Sequence, residues 1–305
     1  MKLGYIGLGK MGFNMVEHLL EKGYAVTVYD TNQEAVAKIA ESGAKTTDSL
    51  RSLALALQPP RLVWIMIPYQ AVDPVLSELV PLLEKGDVVI DGGNSPYKES
   101  IRRALELEKQ GIDFLDVGVS GGPRGAREGA CLMIGGRESL FEKFEGLFRS
   151  ISANQGYAYM GRSGAGHFVK MVHNGIEYGM MQAIAEGFAI MKVSEFDLNL
   201  EKVTEIYNHG SVIESRLIGW LKNVFEEYGE ELRDIDGSVS ESGEGLWTVH
   251  EGKESGSPVP IIEGALNFRL QSQQTPSYIG QILSALRHQF GGHEVFKKGQ
   301  VKRNG

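Results

Sequence analysis

Six short apolar runs, spaced along the first half of the chain, limit its fold more than any other feature. They are Leu3 to Ile6, Val26 to Tyr29, Leu62 to Ile67, Val88 to Ile90, Phe114 to Val117 and Leu132 to Ile134, with amphipathic segments between them. Runs this short and this rich in Val and Ile read as buried strands, and the segments between them as crossover helices. The pattern predicts a doubly wound α/β sheet. From about Gly164 the character changes to long helical periodicities: Phe168 to Lys192, Leu200 to Asn208, Ser215 to Tyr228, Ile261 to Gln273, and a further helix ahead of Phe290. The glycine-rich stretch from Gly161 to Gly166 separates the two regimes, so the expected domains are α/β over 1–162 and all-α over 163–305. The segment from Gly237 to Gly256, rich in Gly, Ser and Glu, reads as a loop that is either mobile or lines a pocket, with Trp247 and Val249 pointing to packing.

A length of 305 residues suffices for two cores. The net charge of -8 argues against a general nucleic-acid binder, which needs clustered Lys and Arg. Cys131 is the single cysteine, so no intrachain disulfide or multi-cysteine metal site can form. The seven histidines show no ligand spacing, and no metal is expected. The apolar start from Met1 to Ile6 is too brief for a signal peptide, and no run approaches the ~20 residues that span a bilayer. A cytoplasmic protein without membrane partners is the expectation.

Gly7-Leu8-Gly9-Lys10-Met11-Gly12 follows the first strand and leads into a helix expected over Phe13 to Lys22. In that context a GxGxxG turn is a pyrophosphate cradle. Gly7 permits the tight turn, Gly9 clears the approach of the phosphates, and Gly12 lets helix and strand pack closely. Helix N-terminal amides then face the diphosphate. Asp30 closes the second strand, 18 positions after Gly12, where a carboxylate accepts from both ribose hydroxyls and repels a 2′-phosphate. Thr31, Asn32 and Gln33 offer no cation for such a phosphate. NAD is the expected cofactor, with NADP less favoured. Ile67, Pro68 and Asn94, which follow later strands, are counted with the cofactor-binding residues.

Read as a helix, 169–179 presents Lys170, His173, Asn174, Glu177 and Tyr178 on one side, and Val169, Val172, Ile176, Met180 and Ala183 on the other. Such a helix is either an ordinary amphipathic one or a base, an acid, an amide and a phenol facing one space. Two further loops sit at strand ends, where ligands bind in open α/β sheets: Asp91-Gly92-Gly93-Asn94-Ser95 and Val119-Ser120-Gly121-Gly122-Pro123. Taken singly, each also reads as an ordinary tight turn. Ser120 with the amides of Gly121 and Gly122 can form a carboxylate nest.

Together these pieces resemble the β-hydroxyacid dehydrogenase superfamily. Within it, the Asp91 to Ser95 loop and the run from Lys170 to Gly179 look like 6-phosphogluconate dehydrogenase (decarboxylating), in a compact branch that often prefers NAD. The resemblance implies an oxidative decarboxylation of 6-phosphogluconate to ribulose 5-phosphate and CO2. Lys170 would be the base and Glu177 the acid, and a lysine can serve as base only with its pKa drawn down from about 10.4. Asn94, Ser120, Gly121, Gly122, His173, Asn174 and Tyr178 would bind the substrate. Arg269 matches the family's phosphate arginine, and Arg287 and His293 resemble a C-terminal tail that reaches the partner's site in a homodimer or dimer-based oligomer. Two positions depart from the long enzymes: Ser242 and Glu244 stand where those carry a lysine and a threonine, which should weaken phosphate binding unless Glu244 points away or pairs with Arg269. Gly9 also replaces an alanine common in the NADP-dependent long form. The alternatives are a dehydrogenase of an unphosphorylated β-hydroxyacid such as 3-hydroxyisobutyrate, and, more distantly, a dinucleotide-binding protein without catalysis.

Overall fold

A computed structural model describes residues 1–293. Its strands are β1 (Lys2–Ile6), β2 (Ala25–Tyr29), β3 (Lys45–Thr46), β4 (Leu62–Ile65), β5 (Val88–Asp91), β6 (Asp113–Ser120), β7 (Ala130–Gly136) and β8 (Ser152–Gly161). They form one sheet in the order β3-β2-β1-β4-β5-β6-β7-β8. All neighbours run parallel except β6 and β7. All six expected strands are present. β3, of two residues, and β8, broken by Asn154, Gln155 and Gly156, carry too little apolar pattern to be read from sequence.

The period of two explains why the apolar runs are nearly unbroken. Leu3, Tyr5, Leu62, Trp64, Val88 and Ile90 enter one buried cluster, while Ile6, Val63, Ile65 and Val89 enter another. Helices α1 (Lys10–Glu21), α2 (Gln33–Glu41), α3 (Leu50–Ala56), α4 (Tyr69–Leu79), α5 (Tyr97–Glu108), α6 (Gly122–Glu128) and α7 (Glu138–Ile151) supply the covering layers. Strand order reverses at β1, so the ligand crevice of such a sheet opens at the carboxyl ends of β1 and β4.

β6 differs from its neighbours. Leu115, Val117 and Val119 face the first cluster, but the alternate positions Asp116, Gly118 and Ser120 are polar or small. The first turns of α8 (Ala165–Lys192) pack there. By compactness Met1–Lys170 is one unit, which takes in the first turns of α8, and a second begins at Met171.

The second unit continues with α9 (Leu200–Tyr207), α10 (Arg216–Tyr228), α11 (Glu244–Glu254), α12 (Pro260–Ser272) and α13 (Tyr278–Gly291); Phe188, Leu221, Phe225, Ile282 and Leu286 form its main core, and Tyr178, Val249, Ala265 and Leu266 join α8, α11 and α12 in a smaller one. One expectation is corrected here. The segment from Gly237 to Gly256 is not all loop, because α11 occupies most of it; its glycines break the apolar pattern but serve close packing. The apolar side of α8 is also the open one: Ile176 is 52% and Met180 45% exposed, whereas Met171, Tyr178, Met181, Ala185 and Phe188 are buried at helical spacing. No helix among the described residues is long and apolar enough to cross a membrane.

Candidate active site

The turn after β1 is shaped as a phosphate cradle. Gly7 has φ +102°, and a Cβ there would stand 2.2 Å from the carbonyl oxygen of Met66 and 2.6 Å from Ile67 Cγ2. At Gly12 a Cβ would meet Gly7 O at 2.1 Å, whereas Gly9 faces open space. No side chain caps α1, which leaves its first amides to an anion. Leu8 is buried beneath the turn, Lys10 and Met11 open α1, and Pro68 caps α4 beside Ile67. Asp30 accepts from the amides of Leu8 (2.5 Å) and Asn32 (2.6 Å). Its carboxylate thus ties the glycine turn to the end of β2, a structural task in addition to the one expected of it.

Asn94 stands in the loop after β5, which is organised from below by its own Asp91 and Ser95 and by Arg103, which the sequence reading left out. Asp91, fully buried, accepts from Ser95 Oγ at 2.8 Å and from the Gly93 amide at 3.1 Å. Arg103 on α5, 1% exposed, donates to Asp91 and Ser95 and, through Nε, to Asp73 at 2.8 Å. A buried ion pair costs desolvation and fixes geometry in return. A helical arginine alone carries no sequence signal that it is buried.

Lys170 is positioned by a second hidden device. Asp116 is fully buried and accepts from the amides of Gly164 (2.7 Å) and His167 (2.9 Å), capping α8 from the sheet. His167 Nδ1 also shares a 2.7 Å hydrogen bond with Ser100 Oγ of α5. A Cβ on Gly118 would lie 2.5 Å from Lys170 Cβ, so a bare backbone is required beneath the lysine. Ser120 ends the same side of β6, and Gly121 (φ +118°) and Gly122 (φ +65°) turn beyond it as a nest requires.

In the second unit His173 and Asn174 join through Nδ1 and Oδ1 at 2.9 Å, and Glu177 follows one turn later on α8. α11 packs closely on α8: Thr248 Oγ1 donates to the Met171 carbonyl at 2.9 Å, and Gly175 and Gly245 have no room for a Cβ against Thr248 and Tyr178. Tyr178 is 4% exposed and its hydroxyl has no hydrogen-bond partner. Arg269, 2% exposed, lies over the Tyr178 ring with its guanidinium carbon 3.3 Å from the centroid, and approaches Met181 Sδ at 3.7 Å. Arg287, 6% exposed, donates to Ser240 Oγ at 2.6 Å. Neither arginine has a salt bridge among the described residues. Burial, and to a lesser degree Arg287, pull Arg269 down to about 10, and burial lowers Arg287 as well. Glu177 and Glu244 oppose both shifts, so Glu244 faces this pair rather than pointing away, without forming a salt bridge with Arg269.

The two residues expected to reach a partner's site, Arg287 and His293, lie at the C-terminal end of the described chain. Arg287 belongs to α13 and joins Arg269 within its own chain. After α13 the left-handed Gly292 turns the chain back, and the His293 carbonyl meets His288 Nδ1 at 2.8 Å while its ring packs edge-on to Phe290. His293 is therefore part of a helix cap. Ser242 is exposed at the start of α11, and among the described residues no group of His, Cys, Asp or Glu is arranged to hold a metal ion.

A doubly wound sheet with a glycine cradle at its switch point, followed by a helical unit, defines a Rossmann-type dinucleotide-binding protein of two units. Residues 2–161 match the NAD binding domain of 6-phosphogluconate dehydrogenase and residues 166–279 match that enzyme's C-terminal domain. The chain is 46% identical over 298 residues to YqeC of Bacillus subtilis, provisionally named 6-phosphogluconate dehydrogenase, covering 98% of this chain and 100% of that one. It is 42% identical over 300 residues to the NAD(+)-dependent, decarboxylating 6-phosphogluconate dehydrogenase of Haloferax volcanii, covering 98% and 99%. Among solved structures, Plasmodium falciparum 6-phosphogluconate dehydrogenase, studied with its cofactor NADP+ and its substrate 6-phosphogluconate, superposes with a TM-score of 0.81 at 30% identity, over 94% of this chain and 70% of that one. The chain belongs to the 6-phosphogluconate dehydrogenase family.

Proposed function

We propose that the protein oxidises and decarboxylates 6-phosphogluconate to ribulose 5-phosphate and CO2, with NAD as the preferred acceptor. The observation that carries the substrate is the pair of buried arginines without a salt bridge, beside the unpartnered Tyr178 hydroxyl. Two buried cations that disfavour each other's charge call for a dianion, and a phosphate offers oxygens to both forks and to the phenol. An unphosphorylated hydroxyacid has no use for them.

The cradle of Gly7, Gly9 and Gly12, the amides of α1 and the carboxylate of Asp30 suit a dinucleotide, and bound there it supplies a hydride acceptor for C3 of the sugar acid. Lys170, neutral at the start, takes the proton of the C3 hydroxyl as that hydride leaves. The C1–C2 bond of the 3-keto acid then breaks, its electrons pass to the C3 oxygen, and protonated Lys170 stabilises that oxygen. Glu177, two turns along α8 at a rise of about 10.5 Å, delivers a proton to C1 of the enediol. One proton is taken at O3 and one delivered at C1, so turnover is proton-neutral. Ser120 and the amides of Gly121 and Gly122 hold the carboxylate, and His173, Asn174 and Asn94 hold hydroxyls.

The acting form proposed is a homodimer. Ile176, Met180 and Ile190 leave an apolar side of α8 open, as a helix that packs on a second copy does. The deciding assay follows NAD and NADP reduction with 6-phosphogluconate, with 3-hydroxyisobutyrate in parallel, while CO2 is collected. Turnover of 6-phosphogluconate with one CO2 per NADH is expected; turnover of the unphosphorylated acid alone would overturn the reading.

A further inference from the structure

The first unit holds a cavity of about 670 Å³ that the proposed reaction does not use. Its floor is Ile101, Ala104 and Leu105 of α5 with Ile112 and Phe114. It opens at the start of β6, and Ser120 lies at the opposite end of that eight-residue strand, about 23 Å away at ~3.3 Å per residue. The nucleotide cradle is at that far edge of the sheet as well, since the parallel strands end there.

The rim is charged, with an excess of cations. Lys85, Arg137 and Arg162 line it against Glu108 and Asp113, and Arg137 is already paired with Asp113. Lys85 and Arg162 make no hydrogen bond or ion pair among the described residues, and the Lys85 stem crosses Gly111, where φ is +75° and a Cβ would lie 2.9 Å from Lys85 Cγ. The Ser163 hydroxyl adds a donor beside Arg162. An apolar floor of this size with two uncommitted cations at its mouth suits one chemistry. We infer that the cavity binds an amphiphilic anion, with its apolar body on α5 and its carboxylate, sulfonate or phosphate between Lys85 and Arg162.

The test uses the fluorescent anion 1-anilinonaphthalene-8-sulfonate, titrated into the full-length protein with NAD present, beside the uncharged N-phenyl-1-naphthylamine. The sulfonate should bind the wild type at least about tenfold more tightly than the neutral probe, and the double variant K85A/R162A should remove that advantage. Ala104→Trp, which fills the floor and leaves the charges in place, should weaken both probes. Thermal midpoints report whether each variant is folded. Sulfonate binding undiminished in both folded variants, or equal affinity for the two probes, would overturn the inference.

Discussion

Arg269 buries a guanidinium between an aromatic ring and a thioether, and no salt bridge compensates it. Burial brings its folded pKa down to about 10, below the ordinary arginine range, so the unfolded chain holds this proton more tightly than the native one. The charge therefore destabilises the ligand-free fold below about pH 10, a penalty relieved as pH rises above that value. Arg269→Met should raise the melting temperature of the ligand-free protein at pH 7 and abolish the rise that 6-phosphogluconate produces in the wild type. A lowered melting temperature would mean that the cation is structural. Arg269→Lys keeps the charge and loses the fork, so KM should rise about 10- to 100-fold with a smaller change in kcat. Asp30→Arg should shift preference toward NADP; because Asp30 also holds the Leu8 amide, affinity for both cofactors should fall, and steady-state KM values for each would separate the two effects.

At the scale of elements, α8 is set by what the sheet withholds beneath it. Gly118→Ala places a methyl group 2.5 Å from Lys170 Cβ, and the helix must shift to admit it. A displacement of about 1 Å in a catalytic group costs about 100-fold in rate, so kcat should fall by that order while the NAD dissociation constant, read by fluorescence, stays put. An unchanged kcat would show that the base does not depend on this packing. The same helix marks how far the sequence could be read. Lys170, His173, Asn174, Glu177 and Tyr178 were legible as one polar side because a period of 3.6 is local information. That Tyr178 of this side is buried while Ile176 and Met180 are exposed was not, since burial depends on elements far along the chain. α11 was missed for a related reason: Gly245 and Gly252 read as breakers, yet they let the helix lie against Tyr178 and Val259. The six strands were legible because burial on both faces writes an unbroken apolar run. Asp116, His167 and Arg103 were illegible because a buried polar group gains its meaning from partners as far as 67 residues away.

For the whole molecule, the open apolar side of α8 is the surface that asks for a second copy. Ile176 and Met180 are one turn apart and Ile190 continues the same exposed helix, so two such helices can pack ridge into groove. Burial of side chains of this size contributes roughly 1.5–3 kcal/mol each, and twofold symmetry counts every one twice. Ile176→Glu with Met180→Glu would place four carboxylates in that contact. Light scattering should then show the wild type at twice the mass of one chain and the double variant at the mass of one chain, with its circular dichroism preserved because neither side chain is needed by the monomer's core. Since the arginine pair is complete within one chain, the monomeric variant should still be stabilised against heat by 6-phosphogluconate. A variant that stays dimeric would move the interface off α8, and a monomer that no longer responds to 6-phosphogluconate would mean that the phosphate site needs its partner after all.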